Sequence, residues 1–139
     1  MREGIQSNFE HEELRHFGCY FFVLLRWAEI LKQENTPNFE YSDDVIITLF
    51  NLFKEKGWIG NNSFIVNPVA IINYLQKNKI FRTIYISKIK PSVPLFPIYL
   101  KKPSIGHFVL ANQNGIFWDS WSPKANLHEF PIDSYRVIE

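Results

Sequence analysis

Residues 17 to 31, Phe17-Gly18-Cys19-Tyr20-Phe21-Phe22-Val23-Leu24-Leu25-Arg26-Trp27-Ala28-Glu29-Ile30-Leu31, are apolar on almost every side of a helical wheel. A helix laid on a surface shows a single apolar stripe, whereas one that is apolar all round is buried, with the rest of the chain wrapped about it. Only Arg26, Glu29 and Lys32 or Gln33, three and four residues apart, form a polar stripe, expected to face solvent or a polar cleft. Cys19, the sole cysteine, follows Gly18 at the helix start. Unpaired backbone N–H groups and the positive end of the helix dipole stabilise an anion there and lower a thiol pKa, which suits a nucleophile. A lone cysteine among aromatics is also a small buried hydrophobe, and this stretch alone does not choose between the two readings.

At 139 residues, 46% hydrophobic and 17% aromatic, the chain is long and apolar enough to build one core without staples. One cysteine excludes an internal disulfide, so a cytoplasmic setting is expected. The first residues, MREGIQSNFEHEELRH, are too charged for a signal peptide, and the apolar run is broken by Arg26 and Glu29, so no membrane association is expected. Fifteen basic against 14 acidic residues leave a net charge of +1, and no global field draws in nucleic acid. Lys88, Lys90, Lys101 and Lys102 make a local basic cluster of the kind a solvated edge carries.

Upstream of the central helix there is little periodicity, and Gln6 stands out only as an amide ahead of Cys19. Asn35-Thr36-Pro37-Asn38 ends the first helix near residue 33. Ser42 then caps a second helix, over residues 42 to 56, with Asp43 and Asp44 in the turn where the dipole favours acids. Asn67 and Pro68 open a third, over residues 68 to 77. That helix has no basic or amide row for a DNA groove, and its connection is too long for a helix-turn-helix. From Phe81 the apolar period becomes two. Thr83 to Ser87, Ile98 to Lys101, His107 to Ala111, Ile116 to Ser120 and Asp133 to Ile138 read as strands, and Asn112-Gln113-Asn114-Gly115 is a strong hairpin signal. Helices first and sheet second make an α+β fold, one domain over residues 1 to 139.

A cysteine at a helix start, a histidine opening a strand and an acid on the next strand supply a thiolate to attack a carbonyl, an imidazole to shuttle the proton and a carboxylate to hold the imidazole. These are Cys19, His107 and Asp119. Hairpin register decides whether the last two meet. Without a compensating bulge, a two-residue Asn114-Gly115 turn sets Asp119 opposite Leu110, away from His107, and gives the histidine's face to Ser120 or Ser122. A three-residue Gln113-Asn114-Gly115 loop, with Gly115 at positive φ, sets Asp119 opposite Val109 and on the face of His107. His11, His16 and His128 lack acids or further cysteines at ligand spacing and read as surface residues, so no metal or other cofactor is expected.

On these residues the chain resembles the papain-like cysteine peptidases, in which a helix carrying the nucleophile packs on a small antiparallel sheet carrying His and Asn or Asp. The matching pieces are Gly18-Cys19, Gly106-His107-Phe108-Val109-Leu110 and Asp119-Ser120-Trp121, the last similar to the family's Asn-Ser-Trp with Asp for Asn. The chain is most similar to the bacteriocin-leader-processing branch and its phage relatives, where a Gln precedes the Cys, and its overall pattern also resembles uncharacterised proteins of spirochaete plasmids and prophages. The resemblance implies a papain-like fold with the Cys19 helix packed on a C-terminal antiparallel sheet, a Cys19, His107 and Asp119 triad, Gln6 at the oxyanion hole, and a peptide or protein substrate cut at a peptide or related amide bond. Tyr20-Phe21-Phe22 is bulkier than the family's usual residues after the cysteine, and the 13-residue step from Gln6 to Cys19 is longer than in papain. The alternative is an inactive papain-like domain serving as a binding or regulatory module. Oligomeric state is left open.

Overall fold

The computed structural model describes residues 1–77, 79–121 and 130–139, so Ser122 and His128 lie outside the described residues. Helix α1 spans Glu12–Phe17, α2 Cys19–Gln33, α3 Asp43–Glu55 and α4 Pro68–Leu75; strands β1 to β5 span Ile84–Ser87, Phe96–Lys102, Ile105–Asn112, Gly115–Trp118 and Ile132–Ile138. The architecture is α+β, with N-terminal helices followed by a five-stranded antiparallel sheet in the order β1-β5-β2-β3-β4.

Helix α2 is the centre of the molecule. Phe21, Phe22, Val23, Leu24, Leu25 and Ala28 are all fully buried, which only a helix covered on every side allows. Phe21 meets Phe50 and Phe53 of α3 edge-on or tilted at 5.5 and 6.1 Å between ring centres. On another side Tyr20 stacks on Phe108 of β3 at 4.0 Å. The caps are where the sequence puts them: Ser42 Oγ accepts from the Val45 N–H at 3.3 Å and Asn67 Oδ1 from the Ala70 N–H at 3.0 Å.

Two features differ from expectation. Glu29, read as part of an outward polar stripe, is fully buried; its carboxylate accepts from Arg26 Nη1 at 2.6 Å, the Tyr41 N–H at 3.0 Å and the Met1 nitrogen at 2.7 Å. A buried carboxylate is tolerable only with its lone pairs occupied in this way. The N-terminal segment also carries structure, a 3₁₀ turn over Ile5–Asn8 and the short helix α1, whose His11 cap accepts from the Leu14 N–H at 3.4 Å.

The sheet has two apolar faces. Phe108, Leu110 and Trp118 face α2, and Phe96, Ile98, Leu100, Val109 and Ala111 form a second core on the far side with Trp121, Phe130 and Tyr135 against it. Lys88 and Lys90 of the basic cluster donate to the Asp133 and Gln113 carbonyls at 2.6 and 2.8 Å. Among the described residues no helix is long and apolar enough to cross a membrane.

Truncation in the middle of α2 should be costly. Leu24→Ala is expected to lower the unfolding free energy by about 2 to 5 kcal/mol in urea titrations. A loss under about 1 kcal/mol would show that α2 is not the enclosed centre of the fold.

Candidate active site

The joint between α1 and α2 places the thiol. The Gly18 N–H donates to the Leu14 carbonyl at 3.0 Å, and a Cβ on Gly18 would stand 2.6 Å from that same oxygen. Glycine therefore lets α1 stop and α2 begin at the next residue, with Cys19 first in α2. Cys19 is half-buried, and its sulfur faces the backbone N–H groups of Phe108 and Tyr20 and its own. Burial pushes the thiol above its ordinary pKa of 9.0; these N–H groups oppose the rise and the Asp119 charge adds to it. The sulfur thus meets β3 at the residue after His107, whose side chain alternates to the other face of the strand, and no hydrogen bond joins Cys19 to His107 among the described residues.

His107 and Asp119 meet. His107 Nε2 lies 2.6 Å from Asp119 Oδ1, both residues are buried, and Asp119 Oδ1 also accepts from the Trp121 N–H at 3.0 Å. Trp121 covers the imidazole in a stack, 3.4 Å between ring centres at 15°. The carboxylate accepts from Nε2–H, which leaves Nδ1 with its lone pair; Nδ1 has no hydrogen-bond partner among the described residues. Burial lowers the His107 pKa below its ordinary 6.5, and Asp119 offsets part of that.

The register arises by a route other than the expected three-residue loop. Asn112 pairs with Gly115 around a two-residue Gln113-Asn114 turn, in which Asn112 Oδ1 accepts from the Asn114 N–H at 2.8 Å. Ala111 pairs with Ile116 but Leu110 pairs with Trp118, so Phe117 is an extra residue in β4. Gly115 has φ 131°, the positive value expected. Beyond the bulge the alternation places Asp119 on the Val109 and His107 face.

Gln6 is fully buried beside these groups. Its Nε2 donates to the Arg15 carbonyl at 3.1 Å, its Oε1 accepts from Ser120 Oγ at 2.6 Å, and its backbone N–H donates to the Ser120 carbonyl at 2.9 Å. The amide ties the end of α1, just before Cys19, to the strand end carrying Asp119; one Nε2 hydrogen is left over.

Cys19 opens on a cleft of about 660 Å³, with Tyr99 and Phe108 of the sheet on one wall and Phe17, Asn62 and Phe64 on another. A Cβ on Gly106 would collide with the tip of the Tyr99 ring, so a larger residue before His107 would push that ring aside. Trp121 and Arg136, which reach the cleft, were not singled out as site residues from the sequence; the Asp119-Ser120-Trp121 match was the available signal for the first. Among the described residues no group of three or more His, Cys, Asp and Glu is placed to hold a metal ion.

The model of a family described as protein of unknown function, DUF261, matches residues 3–139. The chain belongs to DUF261. No curated protein and no solved structure matches it. The DUF261 match spans Gln6, Cys19, His107 and Asp119 alike, so the whole constellation falls inside the family's extent.

The lowered His107 pKa fixes a direction for stability. The unfolded chain takes up a proton on this residue near pH 6.5 and the folded chain only below that, so in between the folded state binds fewer protons and stability falls as pH drops. An NMR titration should give the His107 ring a midpoint below 6.5, with unfolding free energy declining across the same window; a midpoint at or above 6.5 would contradict the buried neutral imidazole.

Proposed function

We propose that this DUF261 protein is a papain-like thiol hydrolase that cuts a peptide or related amide bond. The reading is carried by the 2.6 Å His107–Asp119 contact made on the strand that also meets Cys19 at the start of α2. The cytoplasm, where a lone thiol stays reduced, is its proposed place of work.

In this reading the resting pair is a neutral thiol and a neutral imidazole, since burial raises one pKa and lowers the other. The thiol proton passes to His107 Nδ1 as the sulfur attacks the substrate carbonyl carbon and forms the S–C bond. Collapse breaks the C–N bond, and the leaving amine takes the proton from Nδ1. Water then adds to the thioester, giving its proton to Nδ1; the S–C bond breaks, the acid departs and the proton returns to sulfur. Asp119 is a positioning residue that keeps Nδ1 free of hydrogen and steadies the imidazolium that forms twice in the cycle. The carbonyl oxygen is stabilised by the Cys19 backbone N–H at the first turn of α2 and by the remaining Nε2 hydrogen of Gln6.

A second reading, an inactive papain-like binding module, draws on the raised Cys19 thiol and on the absence of a hydrogen bond to His107 Nδ1 among the described residues. The readings part on turnover. In a mixture of acetylated tripeptide aminocoumarin amides, Cys19→Ala should abolish hydrolysis with little loss of stability, and Asp119→Ala should lower kcat by about a hundredfold or more. His107→Ala should also slow alkylation of Cys19 by iodoacetamide near neutral pH. Turnover unchanged in Cys19→Ala removes the hydrolase reading; no turnover in the wild type with alkylation indifferent to His107 leaves the binding module.

A further inference from the structure

Arg136 projects from β5 onto the α2 side of the sheet, in the same cleft as Cys19. Its guanidinium stands 5.1 Å from the centre of the Phe108 ring and 5.8 Å from that of Tyr99, and Tyr20, the residue after Cys19, stacks on the other partner of this group, Phe108. One nitrogen, Nη1, donates to Ser134 Oγ at 2.8 Å and more weakly to the Tyr135 carbonyl at 3.4 Å. Those contacts aim the fork; they do not neutralise it. Among the described residues no carboxylate pairs with Arg136, and no Asp or Glu lines the cleft.

Apart from His16, Asn61, Asn62 and Ser63, the rest of the cleft is mostly apolar and rimmed by large side chains held in water. Phe17, Phe64 and Ile86 are 49%, 69% and 65% exposed, an arrangement that costs the free protein and is recovered when an apolar side chain lies across them. The guanidinium also donates to the Tyr20 hydroxyl; held in this way beside aromatic faces it fits a planar carboxylate, and one fork amid Asn61, Asn62 and Ser63 is less suited to a phosphate, which gathers several cations.

We propose that Arg136 is the specificity-determining residue of the site and selects peptides that carry a carboxylate a short way from the bond presented to Cys19, with apolar side chains against Phe17, Phe64 and Ile86. The separation follows from Phe108: the guanidinium stands 5.1 Å from its ring and the Cys19 sulfur faces its backbone N–H. The carboxylate is therefore about one or two extended residues from the reacting carbonyl, either the chain's own C-terminus or an acidic side chain. This specificity rests on the hydrolase reading for its meaning, but the recognition itself needs no turnover.

Binding to the full chain carrying Cys19→Ala tests it without hydrolysis. The probes are acetyl-Phe-Leu with a free carboxylate, the same peptide as its C-terminal amide, and acetyl-Phe-Glu amide, each followed by NMR shifts of the Phe108 and Tyr20 signals. At least one acid should bind about tenfold or more tighter than the neutral amide, that preference should vanish in Arg136→Gln, and Arg136→Lys should keep part of it. Preference for the free C-terminus assigns the α-carboxylate, and preference for the Glu peptide assigns an acidic side chain. Equal binding of acid and amide, no binding of any probe, or a preference that survives Arg136→Gln overturns the proposal. If acid binding depends on Arg136 while the wild type turns over no peptide, the hydrolase reading fails and the recognition stands.

Discussion

One extra residue in the β3–β4 pairing holds the site together. Without a bulge at Phe117, Trp118 would fall opposite Val109 and Asp119 opposite Phe108, facing α2. With it, Trp118 packs beside Leu110 in the α2 core at 3% exposure, and Asp119 turns to the far face where His107 waits. Packing enforces the choice, because the other register would drive a carboxylate among Phe108 and Leu110 and bring an indole out of the main core. The same stretch then continues to Ser120 and Trp121, which engage Gln6 and cover the imidazole.

Much of this was legible in the residues. The all-round apolar run announced the buried α2, the Ser42 and Asn67 caps marked α3 and α4, and the change of apolar period at Phe81 marked the sheet. Helix α1 was not, because six residues are too few to show a period and its stability is tertiary: Glu13 accepts from Lys54 Nζ at 2.6 Å and the Ser63 N–H at 2.8 Å, both far along the chain. Where the turn and its compensating bulge fall was not legible for a similar reason. Asn112 and Asn114 are both good turn formers, and only the burial of Trp118 decides where the surplus residue goes. Glu29 looked outward by its spacing alone and is turned inward by partners contributed by Met1, Arg26 and Tyr41.

The site's electrostatics follow from the same burial. A thiol at a helix start would ordinarily be the anion of a thiolate–imidazolium pair, but here enclosure opposes charge on both Cys19 and His107. In the proposed hydrolase, proton transfer would then accompany attack instead of preceding it. Arg136 adds a fixed positive charge to that cleft, so an anionic substrate would meet a field already oriented before the chemistry begins.

The central claim is that Asp119 holds His107 through Nε2 and leaves Nδ1 free to act as the base of the proposed hydrolase. The direct measurement is the ¹⁵N spectrum of His107 at neutral pH in the wild type and in Asp119→Ala. The account predicts a neutral ring protonated at Nε2, with a downfield, exchange-protected Nε2–H signal that is lost in the variant. A ring protonated at Nδ1, or a signal indifferent to the loss of Asp119, would contradict it.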